Sequence, residues 1–188
     1  MNAKRLSPGN TAKIFATEDM FGNSVDLDTF CGSPLLLCFF RYASCPLCNL
    51  RVQELIRSYE SLHASGLNIL AVFQSPADKM AKYVGQQKPP FPLIPDPQAK
   101  LYRLYGVESS WGGFFRAWSI GLPKVFKAVI GKRFIPGSME GDIHRIPADF
   151  LIDPAGIVID VHYGIDIGDH MPLERVTAWL SGYNDTKQ

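Results

Sequence analysis

Cys45-Pro46-Leu47-Cys48 places two thiols three residues apart in a sequence of 188 residues. Thiols at that spacing in the first turn of a helix suit reversible dithiol/disulfide chemistry: one thiolate attacks an oxidised partner, and the other resolves the product. The pair lies between an apolar, strand-like run, Leu35 to Phe40, and a helical pattern that continues to about Leu62. Cys45 takes the N-cap position and Pro46 the first helical position, where its fixed φ and missing N–H do no harm. Cys48, Val52, Leu55, Tyr59 and Leu62 recur at alternating intervals of four and three, one apolar stripe that turns Cys48 toward a core. Arg51, Glu54, Arg57 and Glu60 fall mostly on other faces, and Gly66 is placed to end the helix. Cys45, at the tip, is expected to be accessible. Free N–H groups and the positive end of the helix dipole favour its thiolate, and Arg41 or Arg51 adds to that if either side chain turns inward.

Two other uses of the pair compete with redox chemistry. A zinc site requires a second Cys/His pair at ligand spacing, and Cys31 and Cys38 lie singly, upstream and seven residues apart. Two inert, packed cysteines are the other alternative; redox chemistry is favoured over both. Cys38, inside Leu35-Leu36-Leu37-Cys38-Phe39-Phe40, reads as a core cysteine acting as a small hydrophobe, and Cys31, beside Gly32 and Pro34, is given no role.

Stepping outward to what must hold this pair, the composition is 46% hydrophobic and 20% charged, which suits one globular domain, residues 1–188, with a large core. A net charge of +1 recruits neither nucleic acid nor an acidic partner. No run of 18 apolar residues occurs, and the opening MNAKRLSPGNTAKIF is polar where a signal peptide would be apolar. A cytoplasmic protein is expected, and in that compartment a CxxC is catalytic more often than structural. No metal and no cofactor is expected.

Strand and helix signals alternate along the chain. Leu67 to Phe73 reads as a buried strand, and Ser75-Pro76-Ala77-Asp78 opens a helix with a start like a capping box, which completes a βαβ unit with parallel strands. The proline-rich segment from Pro89 to Pro97 has room only for a short or edge strand. Gln98 to Tyr105 reads as a brief helix stopped by Gly106. Phe150 to Asp153 and Ile157 to Tyr163 flank the turn Pro154-Ala155-Gly156, a hairpin signal, and a last helix runs from about Pro172 to Leu180.

A strand, a CxxC on a helix, a second parallel strand, then a proline before a hairpin and a final helix together resemble the thioredoxin fold: α/β, a mixed central sheet flanked by helices. More narrowly, Val25-Asp26-Leu27, Phe91-Pro92-Leu93-Ile94-Pro95-Asp96, Leu101-Tyr102-Arg103-Leu104-Tyr105-Gly106-Val107 and Phe150-Leu151-Ile152-Asp153-Pro154-Ala155-Gly156 resemble the peroxiredoxin branch, the alkyl hydroperoxide reductase/thiol-specific antioxidant type. The similarity covers about residues 13–106 and 145–182. It implies a cis-proline opposite the CxxC, at Pro147, with the backbone of Ile146 offering hydrogen bonds to a bound peptide or peroxide; a trans proline in an ordinary loop is the alternative. The usual peroxiredoxin motif PxxxTxxC is not met from either cysteine, and its arginine before the FLID-like strand falls on Pro147, with Arg145 the nearest substitute. Phe39 stands where thioredoxin has its buried aspartate and Ser44 where it has a tryptophan. The chain thus resembles the peroxiredoxin-like offshoot in which CxxC replaces the usual motif.

Residues 107–146 exceed any ordinary connection and are expected to form a helical insertion, a lid bordering Cys45 or a homodimer contact, in preference to a membrane-surface helix or a nucleic-acid face. His144 is near enough to Pro147 in sequence to act at the thiols as an acid/base, although a solvated loop histidine is the more common case. The expected site is therefore Cys45, Cys48 and Pro147, in an environment made by Arg41, Ser44, Pro46, Arg51 and Ile146. Thiol-disulfide exchange is ranked slightly above reduction of hydrogen peroxide or alkyl hydroperoxides, and a non-enzymatic redox-sensing binding protein comes third. In each enzymatic case a cellular dithiol of thioredoxin or glutaredoxin type restores the pair.

Overall fold

All five residues of the strand Leu35–Phe39 are buried, because helices cover both sides of it. The structure, a computed structural model, describes residues 4–109, 142 and 144–186. In chain order its elements are β1 (Ala16–Glu18), β2 (Ser24–Asp26), β3 (Leu35–Phe39), α1 (Pro46–Ala64), β4 (Asn68–Phe73), α2 (Ala77–Lys82), β5 (Leu93–Pro95), α3 (Lys100–Leu104), β6 (Ala148–Ile152), β7 (Val158–Tyr163) and α4 (Leu173–Asp185). The main sheet has the order β5-β4-β3-β6-β7. β3 runs parallel to β4 and antiparallel to β6, with Cys38 opposite Ala71 on one side and Asp149 on the other. This mixed five-stranded sheet is the thioredoxin-like architecture, and the βαβ unit and the C-terminal hairpin stand where they are expected.

Alternation along β3 divides the core in two, since successive side chains point to opposite faces. Leu36, Cys38 and Phe40 join Val52, Leu55 and Leu62 of α1 and Leu173, Val176 and Leu180 of α4. Leu35, Leu37 and Phe39 join Leu101 and Tyr102 of α3, Phe150 and an N-terminal segment through Leu6, Ala12 and Phe15. Each fully buried Leu or Val contributes about 1.5–3 kcal/mol, so the stripe on α1 fixes that helix against the sheet and, with it, the position of Cys48. At the far end Gly66, at φ 87°, lets Leu67 N–H reach Leu62 O at 3.0 Å and its own N–H reach His63 O at 2.9 Å, a Schellman stop.

Several boundaries differ from expectation. β6 begins at Ala148 rather than Phe150, so Asp149 lies inside the ladder. α4 continues to Asp185. α2 starts with no side-chain cap, because the Ser75 hydroxyl is turned away to accept from Ala43 N–H at 2.9 Å. The two-stranded β1–β2 sheet was not anticipated; its strands are three residues each and mostly exposed, too short and too polar for alternation to register. The helical lid or dimer contact expected within 107–146 falls almost entirely outside the described residues. Among the described residues no helix is long and apolar enough to cross a membrane.

Candidate active site

The chain leaves β3 at Phe39 and makes a tight passage through residues 40–45 before α1 begins. Its backbone is tied at each step: Gln74 N–H donates to Arg41 O at 2.9 Å, Ala43 N–H to the Ser75 hydroxyl, and Cys45 N–H to Tyr42 O at 3.1 Å. Cys45 is the N-cap residue, at φ −66° and ψ 121°, with Pro46 first in the helix. Both helix-start assignments from sequence therefore hold.

Its accessibility does not. Cys45 is 1% exposed, as is Cys48, and Arg41, Tyr42 and Ser44 are buried with them. The expectation of an open helix tip fails: residues 41–44 are buried with Cys45, and the stretch is held by Ser75, whose hydroxyl accepts from Ala43 N–H, and by Asn49, whose side-chain amide reaches the Ala43 carbonyl at 2.8 Å. Burial of this kind leaves no trace in helical periodicity.

The two thiols differ sharply in acidity. The hydrogen bond from Cys48 is the strongest influence on Cys45; burial opposes it, but the Arg41 charge and the N–H groups of Cys48 and Leu47 add to it, and the Cys45 pKa falls to about 6. Burial pushes the Cys48 thiol well up, and the neighbouring Cys45 charge pushes the same way. Arg41 Nη1 is 3.5 Å from Cys45 Sγ, and its guanidinium lies over the Tyr42 ring, 5.0 Å from the centroid. Burial raises the Tyr42 hydroxyl to about 12, with the Cys45 charge adding to it and Arg41 opposing. One sulfur is thus a thiolate at neutral pH and its partner a thiol within hydrogen-bonding reach.

Arg51 corrects the other half of the arginine expectation. It does turn inward, but away from Cys45: Nη2 donates to Met171 O at 2.6 Å, Nη1 to Glu54 at 2.8 Å, and its charge lowers the pKa of Asp149. Asp149 is completely buried and takes His170 Nδ1 at 3.0 Å and Met171 N–H at 2.6 Å. Burial alone would raise this carboxyl; His170, Arg51 and the Met171 N–H together outweigh it and bring the pKa to about 2. Cys38 donates to the same carboxylate and its thiol is held well above the ordinary range, first by burial and then by Asp149. It is buried as expected, yet it is a hydrogen-bonded thiol rather than a plain hydrophobe.

The chain contains a buried aspartate on the α1 face of the sheet after all, supplied by β6 rather than β3. The available signal is a charge beside the apolar run Phe150-Leu151-Ile152, hidden when the strand is begun at Phe150, two residues late. Gln74, Ser75 and His170 join the site across a distance in sequence, while Asn49 acts on Ala43 and Cys45, six and four residues before it, from a position that periodicity leaves as an ordinary polar residue.

Pro147 is buried and directly precedes Ala148, which pairs with Phe39, so it lies at the sheet end where the Cys45 passage begins. Its peptide bond with Ile146 is trans, against the cis form expected; among the described residues no cis bond occurs. The Pro147 carbonyl accepts from Gly164 N–H at 2.9 Å. Ile146 is half-buried, and its side chain lies so near Gly164 that a Cβ added there would sit 3.1 Å from it. His144 pairs with Asp142, its Nδ1 3.2 Å from Oδ1. Arg145 donates to Gln74 Oε1 at 3.1 Å and to Val107 O at 2.9 Å, which ties the base of the 107–146 segment to the residue that holds the Arg41 carbonyl. Among the described residues no group of three or more His, Cys, Asp or Glu is placed to hold a metal.

Comparison with known proteins agrees with this architecture. Residues 8–161 match the model of the AhpC/TSA family. The peroxiredoxin Bcp of Escherichia coli is 25% identical over 175 residues, 93% of this chain and 96% of that protein. Peroxidoxin BcpB of Mycobacterium tuberculosis superposes with a TM-score of 0.67 at 18% identity, over 95% of this chain and 98% of that one. The thioredoxin domain of a thiol-disulfide oxidoreductase from Bacteroides vulgatus does so with a TM-score of 0.55 at 19% identity, over 93% and 99%. The similarity at these identities is one of fold, while the family match spans most of the chain. This chain belongs to the AhpC/TSA family and is a thiol-dependent oxidoreductase of thioredoxin-like fold.

Proposed function

We propose that the chain is a two-cysteine peroxidase in which Cys45 attacks a peroxide and Cys48 resolves the product. The observation that carries this is the burial of a low-pKa Cys45 thiolate, 1% exposed, beside Arg41. A protein disulfide is too bulky to reach such a sulfur without displacing the residues around it, whereas hydrogen peroxide or a small alkyl hydroperoxide needs only a small opening of them. Burial thus reverses the order that the CxxC spacing alone favours.

The Cys45 thiolate attacks one peroxide oxygen, the O–O bond breaks, and two electrons pass from sulfur to peroxide. Cys45 becomes a sulfenic acid, and the leaving oxyanion takes up a proton to depart as water or an alcohol. Arg41, fixed near Cys45 Sγ, offsets the charge that develops on the leaving oxygen. Cys48 then attacks the Cys45 sulfur; its proton and the sulfenic hydroxyl leave as water, and the Cys45–Cys48 disulfide forms. A thioredoxin- or glutaredoxin-like dithiol reduces that disulfide and is itself oxidised. A cytoplasmic setting, where thiols are kept reduced, suits this cycle.

Thiol-disulfide exchange is the second reading, favoured by the CxxC spacing itself, and requires residues 41–44 to open first. The non-enzymatic sensor has no observation in its favour. The test is turnover with a dithiol reductant present: hydrogen peroxide or ethyl hydroperoxide is consumed, insulin disulfides are reduced far more slowly, and Cys45→Ser abolishes both. Rapid insulin reduction without peroxide turnover would establish the second reading instead.

A further inference from the structure

Asn49 is a buried amide, 4% exposed, on the first turns of α1. Every polar group of its side chain is used. Nδ2 donates to Ala43 O at 2.8 Å and to Cys45 O at 2.9 Å, and Oδ1 accepts from Gln87 Nε2 at 2.8 Å. One amide therefore grips the two carbonyls that flank Ser44. The Cys45 carbonyl also takes the Asn49 backbone N–H at 3.0 Å, so residue 49 holds it twice. Gln87 comes from the 3-10 turn Val84–Gln87, in the connection between β4 and β5. An asparagine amide fits either way round by shape; the Gln87 donor requires the oxygen to face it, which leaves the NH2 end facing the two carbonyls. Gln87 Nε2 lies 3.2 Å from the Asn49 carbonyl as well.

We propose that Asn49 is a positioning residue for Cys45, and that Gln87 sets its orientation, so that the Cys45 sulfur is held against the N–H groups at the start of α1 and beside Arg41. The chemistry is that of pre-organisation. Hydrogen bonds from helix N–H groups stabilise a thiolate only while the N-cap residue keeps its extended conformation, and holding Ala43 O and Cys45 O restrains the backbone of Ser44 and Cys45 between them. Without the amide, Ala43 O and the second lone pair of Cys45 O lose their partner, residues 43–45 gain freedom, and the sulfur leaves its donors for part of the time. Among the described residues, the charged or titratable groups facing Cys45 are Arg41, Tyr42 and Cys48. None of them contacts Asn49 through the bonds named above, so its influence on the sulfur passes through the backbone.

This inference rests on the assignment of Cys45 as the reacting thiol, and its test reads the thiolate itself rather than peroxide turnover. The full-length reduced protein is titrated by absorbance at 240 nm and by the pH dependence of iodoacetamide alkylation at Cys45, located by peptide mapping. Asn49→Ala is expected to move the midpoint upward by about one unit, a roughly fivefold loss of thiolate near pH 6. Gln87→Ala, which leaves Asn49 in place but frees its orientation, is expected to move it the same way by less. If Asn49→Ala lowers the melting temperature while both variants keep the wild-type midpoint, Asn49 only stabilises the helix and the proposal is overturned. Should Asn49→Ala fail to fold, Gln87→Ala decides alone: an unmoved midpoint overturns the proposal. A wild-type protein with an acidic Cys45 that does not consume peroxide would refute the peroxidase reading and leave this one standing.

Discussion

Arg41 Nη1 stands 3.5 Å from Cys45 Sγ, with both residues sealed from solvent. A charge pair at that depth is screened little by water or salt, so the guanidinium acts on the sulfur at nearly constant strength across ordinary buffers. Arg41→Met keeps much of the apolar stem and removes the charge. It is expected to raise the Cys45 midpoint by about one unit or more, and to slow alkylation at pH 6 about fivefold or more. Arg41→Lys is expected to recover only part of this, because an ammonium lacks the planar fork that reaches Cys45 while lying over Tyr42. Thiolate absorbance against pH in the three proteins checks both.

The pH dependence has a definite sign. The Cys45 pKa falls to about 6 in the folded protein, and in the unfolded chain it returns to about 8.5. Peroxide consumption is therefore expected to rise through pH 6 and level off above it. The stability that the thiolate contributes is fully present above the unfolded value and is lost as pH falls through about 6. Urea unfolding of the reduced protein between pH 6 and 8.5 is expected to show stability increasing with pH, by at most about 1.4 kcal/mol per unit, and Cys45→Ser is expected to flatten that slope.

Much of the scaffold could be read from the residues. The stripe from Cys48 to Leu62, Pro46 at the first helical position and Gly66 at the stop are local signals, and each sits where local rules place it. What escaped depends on contacts between distant segments. Arg51 belongs to the polar face of α1 by periodicity, yet it turns under to Met171, 120 residues away, because a buried carboxylate on β6 makes that direction favourable. Cys45 belongs at an open helix tip by position, yet it is buried, in a stretch that Ser75 holds at Ala43 from 32 residues away.

Asp149 supplies a stability prediction. It is fully buried and takes His170 Nδ1 and Met171 N–H, so Asp149→Ala removes their acceptor and the charge that faces Arg51, which keeps Glu54 and Met171 O, at a cost of about 1–3 kcal/mol for each group left unsatisfied. Its folded pKa of about 2 lies below the ordinary value of 3.8. The stability it contributes is present above about pH 4 and lost as pH falls through 2. Denaturant unfolding at neutral pH measures the first effect, and a shallower acid limb in Asp149→Asn measures the second.

Cys48→Ser keeps a hydroxyl donor beside Cys45 but removes the resolving sulfur. With a stoichiometric amount of peroxide this variant is expected to stop at a Cys45 sulfenic acid, which dimedone captures as an adduct seen by mass spectrometry. In the presence of small thiols it is expected to collect a mixed disulfide at the same residue, whereas the wild-type protein yields neither in quantity.

Cys31 is exposed and Cys45 is buried, which makes the chain its own control. Treating the reduced wild-type protein with one equivalent of hydrogen peroxide, then quenching and mapping the cysteines, puts the two in direct competition. Rapid formation of a Cys45–Cys48 disulfide is expected, with Cys31 and Cys38 still free as thiols. Oxidation that falls first on Cys31, with Cys45 and Cys48 left as thiols, would contradict it.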